Sequence, residues 1–232
     1  MSRKDIEENI LQVFAEPYNS LIVDRKAFKN PIPGIKDLAP KENIAAWVDR
    51  KLFIHNLGHA ATAYFGYLSN PGAIYIYEVL ADRKVYDFVR GAMQQSSAIL
   101  CKTYPGEFTP GQLLDHIDDL LHRFQNRSLG DTMFRVGCDL HRKLAADDRM
   151  VYPLKKGYQS GMPVDKILHA LVCGIYFRAR DEKGEYYQED ERFFKRYKYD
   201  IKKVMIEVCG FDENRESDII NEAVNLNIEL KG

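Results

Sequence analysis

Apolar residues along this chain recur mainly at the three- and four-residue spacing of helices, and strand-like alternation is nearly absent. Residues 110–125 show the pattern most cleanly. Leu113, Leu114, Ile117, Leu120, Leu121 and Phe124 form one stripe. Thr109 suits the N-cap, Pro110 the first helical position, and Gln112 completes a capping box. The same spacing predicts helices over 44–68, 149–159, 164–179, 188–209 and 213–229. It also predicts one over 73–102, with a break near Leu80-Ala81-Asp82. Turn chemistry punctuates them at Asn70-Pro71-Gly72, Met162-Pro163, Cys209-Gly210 and the charged stretch from Arg180 to Gly184. Residues 126–148 are polar and charged, without a clear period.

The N-terminal part differs. Residues 3–14 put Ile6, Ile10, Leu11 and Phe14 on one face of a short amphipathic helix. From Pro17 to Pro40 the chain carries Pro31, Pro33 and Gly34 and a small apolar patch, Leu21-Ile22-Val23. That composition predicts an extended connector crossing a surface. The expected organisation is a helix and connector over 1–42 and a helical domain over 43–232. The fold class is mostly α, a multi-helix, bundle-like domain.

Bulk properties narrow the function classes. The 232 residues are 45% hydrophobic, enough for a substantial core. A net charge of −1 gives no general pull toward nucleic acid or anionic lipid. Cys101, Cys138, Cys173 and Cys209 form no close pair, so zinc knuckles and redox dithiols are not indicated. No apolar run approaches the ~20 residues of a membrane span, and no signal-peptide core follows Met1. A cytoplasmic location is the expectation.

Candidate chemistry concentrates in Lys51-Leu52-Phe53-Ile54-His55-Asn56-Leu57-Gly58-His59. On a regular α-helix Asn56 lies about 140° around from Lys51, and His59 about 80°. Asn56 and His59 share a face, and Lys51 needs its length to join them. An amine, a carboxamide and an imidazole suit alcohol oxidation without a metal. A lysine serves as the base when its pKa falls from about 10.4 to about 7–8. The carboxamide donates to the developing alkoxide, and the imidazole orients a hydroxyl. Chance also places three polar residues so on many helices. His55 and His59, four apart, match a zinc-helix pair, but Asn56 stands where a metalloprotease has Glu and no third ligand is evident. The expected metal complement is none.

Arg50-Lys51-Leu52-Phe53-Ile54-His55-Asn56-Leu57-Gly58-His59-Ala60, followed by Thr62-Ala63-Tyr64-Phe65-Gly66, resembles the signature of the polyol-specific long-chain (mannitol) dehydrogenases, and most closely that of mannitol-1-phosphate 5-dehydrogenases. A second block from His122 through Phe124, Asn126, Asp131 and Arg135 to Lys143 is similar to the family's Arg-Phe-x-Asn-Pro segment and the basic stretch after it. Phe14 to Tyr18 and Val23-Asp24-Arg25 add to the likeness, which spans roughly residues 12 to 180. Two departures bear on substrate: Arg127 replaces the usual Pro, and His55 replaces a small or aliphatic residue.

The resemblance implies roles. Lys51 would be the general acid/base, and Asn56 and His59 would bind and polarise the reacting oxygen. Arg135 and Lys143 would contact substrate hydroxyls or phosphate. The competing readings are an Arg135–Asp131 ion pair at i,i+4 and a solvated surface charge at Lys143. Asn126, Asp131 and Asp139 would shape the loop.

It also implies NAD as the cofactor, and this chain shows no means of holding it. There is no Gly-x-Gly and no βαβ pattern before residue 51. The resembled family matches here only in its C-terminal helical domain. The partners expected are therefore a polyol phosphate and a Rossmann domain, fused or on a separate chain. Without that domain the chain is expected to be inactive.

Overall fold

The computed structural model describes residues 20–231, with the side chains of residues 20–226. The helix expected over 3–14 lies outside the described residues. Two compact units divide the chain, Met1–Trp47 and Val48–Gly232.

In the first unit, β1 (Leu21–Asp24) pairs with β2 (Leu38–Lys41) as a two-stranded parallel sheet. Register runs from Leu21 opposite Leu38 to Asp24 opposite Lys41. The apolar patch expected to be connector is thus a strand, too short to show alternation in sequence. Asp24 turns the chain out of β1 by accepting from Lys26 N at 2.9 Å. Lys41 Nζ sits 3.7 Å from the centroid of the Trp47 ring.

Helices make up the second unit. Helix α1 (Ile44–Arg50) runs across the unit boundary into a π-helical turn, Lys51–Asn56, and on into α2 (Leu57–Ser69). Then come α3 (Ile76–Leu80) and α4 (Arg83–Thr103), separated at the break expected near residues 80–82. Asp82 caps α4, its carboxylate accepting from Lys84 N at 2.7 Å. Helix α5 (Pro110–Phe124) carries the expected capping box, with Gln112 N donating to Thr109 Oγ1 at 3.3 Å. Its stripe of Leu113, Ile117, Leu120, Leu121 and Phe124 is buried.

The polar stretch 126–148 holds two short helices, α6 (Met133–Gly137) and α7 (Leu140–Lys143). Both start on side-chain acceptors, a code that apolar periodicity does not reveal. Thr132 Oγ1 accepts from Arg135 N at 3.1 Å. Asp190, far along the chain, accepts from Asp139 N at 3.0 Å and Leu140 N at 2.7 Å.

Helices α8 (Val151–Gln159) and α9 (Asp165–Tyr176) follow. The single helix expected over 188–209 is two, α10 (Gln188–Tyr197) and α11 (Ile201–Glu207). Lys198 and Tyr199 take left-handed φ of 44° and 66°, and Asp200 restarts the helix by accepting from Lys203 N at 2.9 Å. Local capping here overrides a continuous apolar pattern. Helix α12 (Ser217–Lys231) closes the described chain.

The core sits where α2 packs on α4 and α9, and α4 on α5. Tyr64, Met93, Ile117, Leu121, Leu168 and Leu171 are buried there. Two glycines of α2 lie at close approaches to other helices. A Cβ on Gly66 would lie 2.6 Å from Val79 Cγ2, and one on Gly58 2.6 Å from Met93 Sδ. Among the described residues no helix is long and apolar enough to cross a membrane.

Candidate active site

The stretch from Lys51 to His59 is not a uniform α-helix, and this changes its geometry. Over Lys51–Asn56 the turn is π-helical. Hydrogen bonds from i to i+5 widen the turn and lower the rotation per residue, so a residue five positions on falls nearer the same face than it does on an α-helix. The separation of about 140° expected for Lys51 and Asn56 on a regular helix is thereby reduced. π-helical turns occur frequently at functional sites.

Two features hold the wide turn from outside. Ser96 Oγ, fully buried on α4, donates to Phe53 O at 2.6 Å. The Phe53 ring stacks on Tyr152 with centroids 4.7 Å apart. Distortion of the ladder frees carbonyls for outside donors, and Ser96 satisfies one of them.

The polar groups on this stretch are differently disposed. Lys51 is exposed and Asn56 half-buried. His59 lies one turn beyond, its ring stacked on Phe124 at 3.9 Å between centroids and meeting His55 edge-on at 5.0 Å. Its Nε2 is buried with no hydrogen-bond partner among the described residues, and stands 3.5 Å from Asp131 Oδ2. Burial, reinforced by the charges of His55, Arg135, Arg149 and Lys143, pulls the His59 pKa down to about 3. The imidazole is neutral at physiological pH, ready to exchange a hydrogen bond with a hydroxyl.

The second block supplies the opposite wall. The antiparallel bridge Tyr75–Thr132 anchors it, with Ile76 N donating to Asp131 O at 3.0 Å and Met133 N to Ile74 O at 2.8 Å. Asp131 is buried and shared: its carboxylate pairs with Arg135 and faces His59. The Arg135–Asp131 pair expected at i,i+4 is present, and Arg135 remains largely exposed. Asn126 Oδ1 shapes the loop before it by accepting from Ser128 N at 3.0 Å.

Lys143 is not a solvated surface charge. It is 5% exposed, and its Nζ donates to Val136 O at 2.7 Å. Burial lowers its pKa to about 8, with the Arg149 and Arg142 charges acting in the same direction. The structure thus gathers His59, Asp131 and Arg135 by direct contact, and brings Lys143 close enough to act on His59 electrostatically.

Sequence reasoning missed Arg149 and the partners of His59. Arg149 is 9% exposed and held by Asp148, its Nε donating at 2.7 Å. Nothing in its neighbourhood of the sequence marks it. Phe124 read only as a core position on the α5 stripe; it also forms the platform beneath His59.

No dinucleotide fold is found among the described residues, whose one sheet has two strands. Nor does any group of three His, Cys, Asp or Glu side chains among them converge as a metal site would. All four cysteines are free thiols, Cys173 and Cys209 buried and Cys101 and Cys138 half-buried.

The fold and site define a class: a mostly helical domain that sets an amine, a carboxamide and a neutral imidazole along one helix beside a fixed cationic wall. Residues 43–224 match the mannitol dehydrogenase C-terminal domain, and the chain belongs to that family. Two solved structures share the fold. One is Pseudomonas fluorescens mannitol 2-dehydrogenase in a ternary complex with NAD and D-mannitol, with TM-score 0.66 and 17% identity over 83% of this chain and 40% of that one. The other is a substrate-free D-sorbitol dehydrogenase, with TM-score 0.64 and 17% identity over the same shares. The chain therefore spans about 40% of the length of the solved structures it resembles.

Proposed function

We propose that this chain is the substrate-binding and catalytic domain of an NAD-dependent mannitol-1-phosphate 5-dehydrogenase, which interconverts D-mannitol 1-phosphate and D-fructose 6-phosphate. The observation that carries this reading is the wide turn. It brings Lys51 and Asn56 nearer to one face than an α-helix would, with neither side chain engaged by a hydrogen bond or ion pair among the described residues, ahead of a neutral His59.

Each residue has a task in alcohol oxidation. Lys51 Nζ takes the hydroxyl proton as the carbonyl forms, and returns it in the reverse direction. The Asn56 carboxamide donates to the oxygen that gains charge. His59 Nε2 orients a hydroxyl and is itself aimed by the Phe124 stack and the Asp131 carboxylate. Arg135 and Lys143 hold further hydroxyls or a phosphate.

The hydride acceptor is a nicotinamide, which the described residues are not built to hold. A nucleotide-binding domain, fused or separate, would bring it. That domain would also cover Lys51, whose exposure here leaves its ammonium in water. The chain alone should neither bind NADH with micromolar affinity nor turn over. Complemented with a nucleotide-binding domain, it should oxidise D-mannitol 1-phosphate in preference to mannitol, sorbitol or hexonates. Faster turnover of an unphosphorylated polyol would reassign the substrate. Oxidation of none of them, with NAD bound, would overturn the reading.

A further inference from the structure

Arginines across this domain are mostly neutralised at short range. Arg83 pairs with Asp87, Arg90 with Asp118, Arg142 with Asp139, Arg149 with Asp148, Arg192 with Glu189 and Arg196 with Glu207. Arg178 and Arg180, just after α9, break that pattern. Neither has a carboxylate partner among the described residues.

Both are nevertheless held in place. The Arg178 guanidinium is half-buried between the Phe194 and Tyr199 rings, 3.7 and 4.3 Å from their centroids. Its Nη1 donates to Ile175 O at 2.8 Å and Phe177 O at 2.7 Å. Arg180 lies 4.3 Å from the centroid of the Tyr186 ring, with Nη2 donating to Tyr186 Oη at 3.0 Å and Nη1 to Gly184 O at 3.1 Å. Stacking and carbonyl bonds fix a guanidinium without cancelling its charge. The nearby Asp181 forms no ion pair with either; its Oδ1 accepts from Lys183 N at 2.9 Å and Glu185 N at 2.8 Å.

These arginines line one open groove of about 830 Å³ together with Arg135, Lys183, Tyr67 and Tyr186. Arg135 there is paired with Asp131, and the other three cations share the groove with the carboxylates of Asp181 and Glu182. Arg135 belongs to both places: it lines the groove and pairs with the Asp131 that faces His59. A ligand that reached from His59 past Arg135 would bring its far end to Arg178 and Arg180.

We propose that this groove is a phosphomonoester subsite, in which Arg178 and Arg180 bind the phosphoryl group of a substrate whose hydroxyl chain lies along Arg135 toward His59. The inference rests on the dehydrogenase reading above and specifies where its substrate's charged end goes. A fixed, unneutralised guanidinium pair offers the planar fork that suits a phosphate, with little reordering on binding. A dinucleotide pyrophosphate has the same chemistry, but the continuity through Arg135 to His59 favours the substrate.

The test is a titration of the chain at low salt with D-fructose 6-phosphate, D-fructose, inorganic phosphate and NADH, read by NMR at the arginine side-chain Nε–H signals. Fructose 6-phosphate and inorganic phosphate should shift the Arg178 and Arg180 signals, and fructose and NADH should not. Arg180→Ala, with its melting temperature measured beside wild type, should weaken fructose 6-phosphate binding roughly tenfold or more. Equal binding of fructose, unchanged affinity in Arg180→Ala, or displacement by NADH would overturn the proposal. In the complemented enzyme, Arg180→Ala should raise KM for mannitol 1-phosphate about tenfold more than KM for mannitol. Polyol oxidation without that difference sinks the subsite and leaves the dehydrogenase standing. Arginine-dependent phosphate binding in an enzyme that oxidises no polyol sustains the subsite and sinks the dehydrogenase.

Discussion

Two lysines mark the difference between the two walls of the site. Lys51 stands exposed on a widened turn, with its ammonium uncommitted among the described residues. Lys143 is buried, donates to Val136 O at 2.7 Å, and has a pKa drawn down to about 8. On the same stretch as Lys51 lie polar groups with no hydrogen-bond partner among the described residues, the half-buried Asn56 carboxamide and the buried Nε2 of His59. Around Lys143 they are already bonded: Arg149 to Asp148, Arg135 to Asp131, and Asp190 to the start of α7. One wall offers groups that can trade protons and hydrogen bonds with a substrate. The other is a fixed electrostatic frame that reinforces the burial keeping His59 neutral.

That contrast can be broken by separating activity from stability. On the open wall, Asn56→Ala should lower kcat of the complemented enzyme by about 10²–10³, the scale of removing one donor to a developing oxyanion. Its urea midpoint should move little, because the carboxamide has no hydrogen-bond partner among the described residues. A large loss of stability would place Asn56 in the frame instead.

His59 sharpens the comparison at acid pH. Its ordinary value of 6.5 is lowered to about 3 in the fold. As pH falls through that window the unfolded chain takes up a proton that the folded chain refuses. Stability present above pH 6.5 is therefore lost progressively toward pH 3, at up to about 1.4 kcal/mol per pH unit. His59→Gln should flatten the slope, as measured by urea unfolding at pH 4 to 7.

Lys143 gives the opposite limb. Its folded pKa of about 8 lies below the usual 10.5, so the unfolded chain binds more protons between those values and stability rises with pH there. Lys143→Met should remove that rise, which amounts to about 3 kcal/mol over the whole window. A wild-type curve flat from pH 8 to 10 would refute the buried, depressed lysine.

The smallest effect tests how the open wall is shaped. Ser96→Ala removes the hydroxyl that donates to Phe53 O and should cost about 1–2 kcal/mol of stability. Because Ser96 acts through the wide turn, kcat should fall by more than KM rises, and Ser96→Thr should restore part of it. Equal kcat with lost stability would make the turn a packing feature only.

Much of this was legible before the fold. Helix α5 was readable from its stripe and capping box, and the break before α4 from Asp82. Lys51, Asn56 and His59 stand out as candidates through spacing and family likeness. The π-helical turn did not, since it depends on Ser96 and Tyr152, some 40 or more residues away in sequence. Helix α7 was equally hidden, because Asp190 supplies its start from 50 residues on. The burial of Lys143 was invisible for a related reason. A lysine in a polar stretch reads as solvated until the helices that cover it are in place.

The most direct test of the open wall is Lys51→Ala in the complemented enzyme, with kcat for D-mannitol 1-phosphate oxidation measured beside the melting temperature. The expected result is a fall in kcat of about 10³ or more, at the upper part of the range for losing a general base, with melting unchanged because the side chain is exposed. A kcat within about threefold of wild type would contradict it.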